Sequence, residues 1–70
     1  MTKTSKSSLA KRIEFLRKKR GLSQEKLARL ADVSNNTIIN IEAGININPT
    51  IETLRKIAKA FNVSVEELVK

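Results

Sequence analysis

Apolar residues recur at helical spacing along most of this sequence, and two such stripes lie close together between positions 24 and 42 (QEKLARLADVSNNTIINIE). The inward positions, three or four residues apart or directly adjacent, are Leu27, Ala28, Ala31, Ile38 and Ile41. Ser23 and Ser34 precede the two stripes, where a hydroxyl accepts a hydrogen bond from a free N–H of the first helical turn. Val33 closes the short turn, and the small side chain of Ala28 permits a close crossing. The pattern predicts a helix-turn-helix.

Three further helices follow from the same spacing. The first is expected from Ser8 to Arg20, with Gly21 as its cap; its inward residues are Leu9, Ile13 and Leu16, flanked by Phe15. The fourth is expected over 51–61, ended by Asn62 in a left-handed conformation; its inward residues are Leu54, Ile57, Ala58 and Phe61. Ser64 and Glu67 form a capping box that opens a short last helix. The sequence therefore predicts an all-α fold, a compact bundle of five helices.

The second helix of the central pair carries a polar face without charge. At about 100° per residue, the outward side opposite Ile38 and Ile41 consists of Asn35, Asn36, Ile39 and Asn40. Asparagine pairs through two hydrogen bonds with adenine, and an exposed isoleucine suits the methyl group of thymine. We therefore expect this face to read base edges in DNA.

These residues and their flanks resemble the Cro and lambda-repressor-like helix-turn-helix family, also called the XRE family. The resemblance covers roughly residues 9–70. Its flanking phrases are RGLSQ (20–24), IEAG (41–44), NPTIETLRKIAKAF (48–61) and NVSVEEL (62–68). One departure is Asp32, where the family usually has glycine; aspartate tolerates the left-handed conformation required there, so we expect slight strain and the same lambda-repressor-like fold.

The resemblance also implies roles for single residues. It implies an ion pair between Arg17 and Glu42 that ties the first helix to the third, and a phosphate contact by Gln24, which begins the second helix. A helix N-terminus favours an anion, although an exposed helix-start residue without a role is the alternative for Gln24. The last helix and the turn before it often form the dimer contact in this family, which here implies Val63, Val65, Leu68 and Val69. The alternative is that these residues close the core of a monomer.

The charge of the chain favours a polyanionic partner. Fourteen basic and seven acidic residues give a net charge of +7 and a pI near 10.3. The alternative, a surface charged only for solubility, is less consistent with the adjacent helix-turn-helix. Our candidates for contact with the DNA backbone are Lys19, Arg20, Lys26, Arg29, Asn46 and Asn48. Ile45 and Ile47 stand where the family usually has basic residues; we expect them to fold back onto the core, the alternative being a patch that meets a second subunit.

Several classes of function are disfavoured. The chain has no cysteine or histidine, which removes the usual nucleophile, general base and metal ligands, so we expect neither an enzyme nor a metal or organic cofactor. Gly21 and Gly44 are too few for a phosphate-binding glycine loop. No apolar run is long enough to span a membrane, and we expect a cytoplasmic protein, associated with the nucleoid when bound to DNA. Residues 1–7 are expected to form a flexible basic tail, and 8–70 the DNA-binding domain.

The leading hypothesis is a sequence-specific regulator of transcription that binds double-stranded DNA and acts as a repressor. The resemblance implies a homodimer, at least on DNA, with a recognition helix in each of two successive major grooves of a near-palindromic operator. A restriction–modification controller is a variant of the same class. The alternative is an antitoxin or another module that binds a protein partner and binds DNA only for autoregulation, because one fold serves several functions.

Overall fold

The computed structural model describes residues 8–69, all of whose regular structure is helical. The five helices are α1 (Ser8–Lys19), α2 (Gln24–Ala31), α3 (Asn35–Glu42), α4 (Ile51–Phe61) and α5 (Val65–Val69). The predicted all-α, five-helix fold is confirmed, and α1 ends one residue earlier than expected. The predicted tail over 1–7 lies outside the described residues. None of the helices in the described part of the chain is long and apolar enough to cross a membrane.

Polar side chains begin the helices as the sequence indicates. The hydroxyls of Ser23, Ser34 and Thr50 accept hydrogen bonds from the backbone N–H three residues ahead, at the starts of α2, α3 and α4. At α5, the predicted capping box is present: Glu67 N–H donates to Ser64 Oγ at 3.1 Å, and Ser64 N–H donates to Glu67 Oε1 at 3.4 Å. The starts of α2, α3, α4 and α5 therefore follow from residues close to them in sequence.

Residues in the left-handed conformation end the helices. Asp32 and Asn62 both have φ of 59°, and they follow α2 and α4 directly. Their N–H groups bond to carbonyls of the preceding turn, which satisfies acceptors that the helix leaves open. Asp32 thus takes the conformation for which the family usually supplies glycine, and the tight turn between α2 and α3 is retained.

The core lies where α2 packs on α3 and α4 while α1 covers α3 and α5. The inward residues expected in α2, α3 and α4 are all buried there, which confirms those three stripes. In α1, Ile13 is buried and Leu9 and Leu16 are partly buried against the core. Ala10 is also fully buried, and Phe15 is exposed. The apolar face of α1 is therefore rotated away from Phe15.

The structure corrects two expectations about apolar residues. Leu68, predicted to form a dimer contact, is fully buried in the core, and Val63 and Val65 are partly buried against it. Only Val69, of the four dimer candidates, is exposed by half. The other expectation concerned Ile45 and Ile47, which do not fold back onto the core: both are exposed.

Arg12 of α1 and Arg20, which follows α1, bind backbone carbonyls of the last two helices. Arg12 Nε donates to Glu67 O at 3.0 Å, and Arg20 Nη2 donates to Phe61 O at 2.6 Å. The Arg20 guanidinium also lies 5.8 Å from the centre of the Phe61 ring, within the range of a cation–π contact. Part of the charge on α1 thus stabilises the fold by satisfying acceptors near the ends of α4 and α5.

The burial of Leu68 predicts a core defect when it is truncated. Leu68→Ala should lower the free energy of unfolding by roughly 2–5 kcal/mol, because it removes buried methyl groups and leaves a cavity. Val69→Ala is the matched control, and its effect should stay within about 0.5 kcal/mol. Urea denaturation followed by circular dichroism measures both. A loss at Leu68 that grows as the protein is concentrated would instead indicate a subunit contact.

Candidate nucleic-acid interface

Helix α3 presents the predicted polar face outward. Asn35, Asn36 and Asn40 are exposed, and Ile39 is partly buried beside them. On the opposite side, Ile38 and Ile41 are fully buried. The structure therefore brings the four predicted base-reading residues to the outward side of one helix, whose inner side is fixed by the core.

Both ends of α3 are held by hydrogen bonds. At its start, Thr37 N–H donates to Ser34 Oγ at 3.1 Å. At its end, the N–H groups of Ile45 and Asn46 both donate to the backbone carbonyl of Asn40 at 3.0 Å, around Gly44 with φ of 78°. The helix carrying the polar face is short, but its backbone is tied down on both sides.

A buried carboxylate joins three segments at the end of α3. Glu42, whose side chain is 4% exposed, accepts from Arg17 Nε at 2.7 Å and from Arg17 Nη2 at 3.0 Å. The ion pair implied by the resemblance is thus present, in two-pronged geometry. Arg17 Nη1 also donates to the carbonyl of Leu22 at 2.8 Å, in the link between α1 and α2.

Arg17 neutralises the charge of Glu42. Its hydrogen bond to Glu42 raises the pKa of Arg17 above the ordinary arginine value, and burial opposes that rise only in part. Because the pKa of Arg17 is raised in the folded state, the stability that its charge contributes is present below the ordinary arginine value and is lost as the pH rises through the raised pKa, under strongly alkaline conditions. The acid at the end of α3 is therefore covered and paired with a cation.

Gln24 completes this cluster in a way that the sequence did not indicate. Its Nε2 donates to Glu42 Oε1 at 3.0 Å, so the side chain expected to bind a phosphate is also bound within the protein. The contact joins the first residue of α2 to the last of α3. Gln24 still lies at the α2 N-terminus, where a phosphate is favoured, but its side-chain donor is shared with Glu42.

The cations at the end of α1 and just after it have different neighbours. Lys19 lies 5.8 Å from the centre of the Phe15 ring, and Arg20 bonds to Phe61 O, so their contact with the DNA backbone stays a prediction. Lys18 instead borders a shallow cleft whose other members are Glu14, Arg17, Gln24, Ile39, Glu42 and Ala43. Its Nζ lies 3.1 Å from Glu14 Oε2. Lys18 therefore lies in the same cleft as Ile39 of the polar face.

The remaining backbone candidates are exposed. Lys26 is exposed on α2, and Arg29 forms an exposed ion pair with Glu25 at 3.4 Å. In the loop after α3, Asn46 Oδ1 accepts from Asn48 N–H at 3.0 Å, which fixes the carbonyl side of the Asn46 amide. Its NH₂ group remains a donor that an external acceptor can use.

Comparisons with known proteins agree with this arrangement. The sequence model of the helix-turn-helix family matches residues 13–68. An HTH-type transcriptional regulator of Archaeoglobus fulgidus, itself uncharacterised, is 40% identical over 57 residues, which are 81% of this chain and 80% of that protein. SinR of Bacillus subtilis, also an HTH-type transcriptional regulator, is 34% identical over 61 residues, 87% of this chain and 55% of SinR. This chain belongs to the helix-turn-helix family.

A solved structure supports the same conclusion. The restriction-modification controller protein C.AhdI from Aeromonas hydrophila superposes with a TM-score of 0.82 at 31% identity, covering 87% of this chain and 91% of C.AhdI. Fold, polar face and family together define a DNA-binding transcriptional regulator.

The cluster around Glu42 predicts a large effect of removing its cation. Arg17→Ala should lower the free energy of unfolding by about 3 kcal/mol, because it leaves a buried carboxylate without its counter-charge. Arg29→Ala is the matched control: both partners of that ion pair are 72% exposed, and its loss should cost less than about 1 kcal/mol. Thermal and urea unfolding measure both. Equal effects of the two substitutions would contradict the structural role of Arg17.

Proposed function

We propose that this protein binds double-stranded DNA sequence-specifically, with α3 in the major groove, and that it acts as a repressor. The observation that carries the proposal is the outward face of α3, where Asn35, Asn36 and Asn40 are exposed on a helix whose other side is locked into the core. An α-helix fits the width of the major groove, and amides there pair with base edges. Side chains that read bases need a rigidly held helix, because their hydrogen bonds require a fixed geometry.

The chemistry of this face sets an expected sequence preference. Its residues are neutral, so they add little attraction to phosphate, and their amides carry both donors and acceptors. Adenine presents a matching acceptor and donor in the major groove, and Ile39 beside the amides suits a thymine methyl group. We expect at least one A·T pair in each half-site.

Contacts with the sugar–phosphate backbone would orient α3. The candidates nearest the polar face are Lys18, Gln24 and Asn46, and Lys26 and Arg29 lie exposed on α2. These contacts fix the register of the protein on DNA and carry no sequence information directly. A homodimer would place two copies of α3 about 34 Å apart on a near-palindromic operator, and occupancy of that operator would block transcription in the cytoplasm.

One observation favours a second candidate function. The exposed Ile45 and Ile47 lie directly after α3, and exposed apolar side chains often mark a protein contact. An antitoxin, or another module that binds a protein partner and binds DNA for autoregulation, would use such a surface. A restriction–modification controller, the class of protein to which C.AhdI belongs, remains a variant of the leading proposal.

Selection of bound duplexes from a random pool, repeated at several salt concentrations, tests the leading proposal. It should yield one preferred site with two-fold symmetry, and the slope of affinity against salt gives the number of phosphates neutralised. Equal binding to selected and scrambled duplexes at every salt concentration would refute sequence-specific binding and favour the protein-partner alternative.

The base-reading role predicts that Asn36→Ala relaxes specificity. Binding to the selected duplex should weaken by about 10- to 100-fold, because two hydrogen bonds to one base are lost. Binding to a scrambled duplex should change little. Fluorescence anisotropy with both duplexes measures the ratio. A uniform loss on the two duplexes would exclude a base-reading role for Asn36.

A backbone contact predicts the opposite behaviour. Lys26→Ala should weaken binding to selected and scrambled duplexes alike and reduce the salt slope by about one, because one fewer phosphate is neutralised. Leu30→Ser, exposed on the same helix but uncharged, is the control and should leave the slope unchanged. A changed base preference in Lys26→Ala would show that Lys26 reaches the bases.

A further inference from the structure

The loop after α3 carries an unusual concentration of exposed isoleucine. Ile45 is 73% exposed, Ile47 is 67% exposed, and Ile51, which begins α4, is 57% exposed. Their exposed areas sum to roughly 350 Å², within the range of the largest apolar patch on a typical monomer. We call the three residues the isoleucine patch. Their exposure means that these side chains contribute little of the free energy that burial in the core would supply.

The charge distribution around the isoleucine patch limits what can cover it. From position 33 to 51 the sequence contains one ionisable residue, Glu42, and that residue is buried and paired with Arg17. Everywhere else the chain is densely charged, with a net charge of +7. An acidic protein partner would gain more from the basic surfaces than from this neutral one.

We infer that the isoleucine patch meets the same patch of a second copy of this chain when both copies are bound to DNA. In a two-fold symmetric contact, a surface faces itself, so any charge on it would oppose an identical charge. Two proteins that each carry +7 repel each other least where they meet through a neutral surface, and Ile45 and Ile47 provide one that is also apolar. The inference rests on the proposed function, since it places both copies on one operator.

The small area of the isoleucine patch implies that the contact forms only between copies bound to DNA. A stable interface buries about 800 Å² on each partner, more than twice what the isoleucine patch offers. The patch alone is therefore too small to hold a dimer of free proteins at micromolar concentration. Two copies held on adjacent half-sites experience a much higher effective concentration, at which a small contact is sufficient. We expect monomers in solution and cooperative binding to DNA.

The position of the patch fits this contact. Ile45 N–H and Asn46 N–H are bonded to the carbonyl of Asn40, so the loop is fixed relative to the polar face of α3. A contact between two such loops would therefore transmit the spacing of the two copies directly to their recognition helices. The predicted dimer residue Leu68, by contrast, is buried in the core and cannot meet a second copy.

The test compares binding to the selected duplex, with two half-sites, and to a duplex in which one half-site is scrambled. For the native protein, the second copy should bind the two-site duplex at least tenfold more tightly than the first. In the double variant I45S/I47S, affinity for the single half-site should stay within about twofold, and the cooperativity should disappear. Leu30→Ser, which removes an apolar side chain of similar exposure from the groove between α2 and α4, should retain the cooperativity.

Several results would overturn the inference. Cooperativity that persists in I45S/I47S, or that is absent from the native protein, would exclude a contact through this patch. An equal loss of affinity for the single half-site would show that the loop binds DNA. Sedimentation of a native dimer without DNA that persists in I45S/I47S would place the dimer contact elsewhere, as at Val69. Failure of the proposed function is distinguishable, because the native protein itself would then bind selected and scrambled duplexes alike, and the inference would fall with it.

Discussion

The carboxylate of Glu42 holds the end of α3 to two other segments. It accepts hydrogen bonds from Arg17 of α1 and from Gln24 at the start of α2, and Arg17 in turn binds the carbonyl of Leu22 between those helices. Burying an ion pair gains little free energy over apolar packing, so its value here is positional. Apolar contacts alone allow a helix to slide or rotate slightly, whereas a two-pronged bond fixes its register. The outward amides of α3 thereby acquire one orientation.

The basic residues of α1 serve two different purposes, which net charge conceals. Arg12 and Arg20 bind backbone carbonyls in α5 and α4, and Arg17 neutralises Glu42. Lys18 alone, among the four consecutive cations at positions 17–20, borders the cleft beside α3 without binding a carbonyl or Glu42. A guanidinium presents several donors in a fixed plane and suits bonds inside the protein, while an ammonium on a flexible stem suits a mobile phosphate. The division follows that chemistry.

The sequence predicts local features well and tertiary placement less completely. Helix caps could be predicted because they form hydrogen bonds with backbone groups only a few residues away. This holds for Ser23, Ser34, Asp32 and Asn62. The stripes of α2, α3 and α4 follow from spacing alone. The contact between Gln24 and Glu42 could not be predicted in this way, because it joins residues 18 apart and depends on how α2 meets α3. Its only signal was an isolated acid at the end of an otherwise neutral helix.

The structure differs from the sequence-based predictions at two other places, α5 and the loop after α3, and each difference has a physical reason. Helix α5 has five residues, little more than one turn, so no periodic pattern separates the buried Leu68 from the exposed Val69. The loop from Ile45 onward has no period at all, and hydrophobicity alone suggested burial for its isoleucines.

Under the proposed function, the exposed loop and the neutral face of α3 explain how sequence specificity is reached in so basic a protein. If most of the fourteen cations bound phosphate, affinity for any DNA would be high and the difference between sites would be small. Here three arginines are bound within the protein, and positions 33–51 carry no uncompensated charge. If α3 reads bases as proposed, its residues contribute through directional hydrogen bonds, which depend on sequence. The inferred contact between neutral loops would add to the same difference, because it would form only where two half-sites have the correct spacing. Both features would increase discrimination between sites more than affinity for DNA in general.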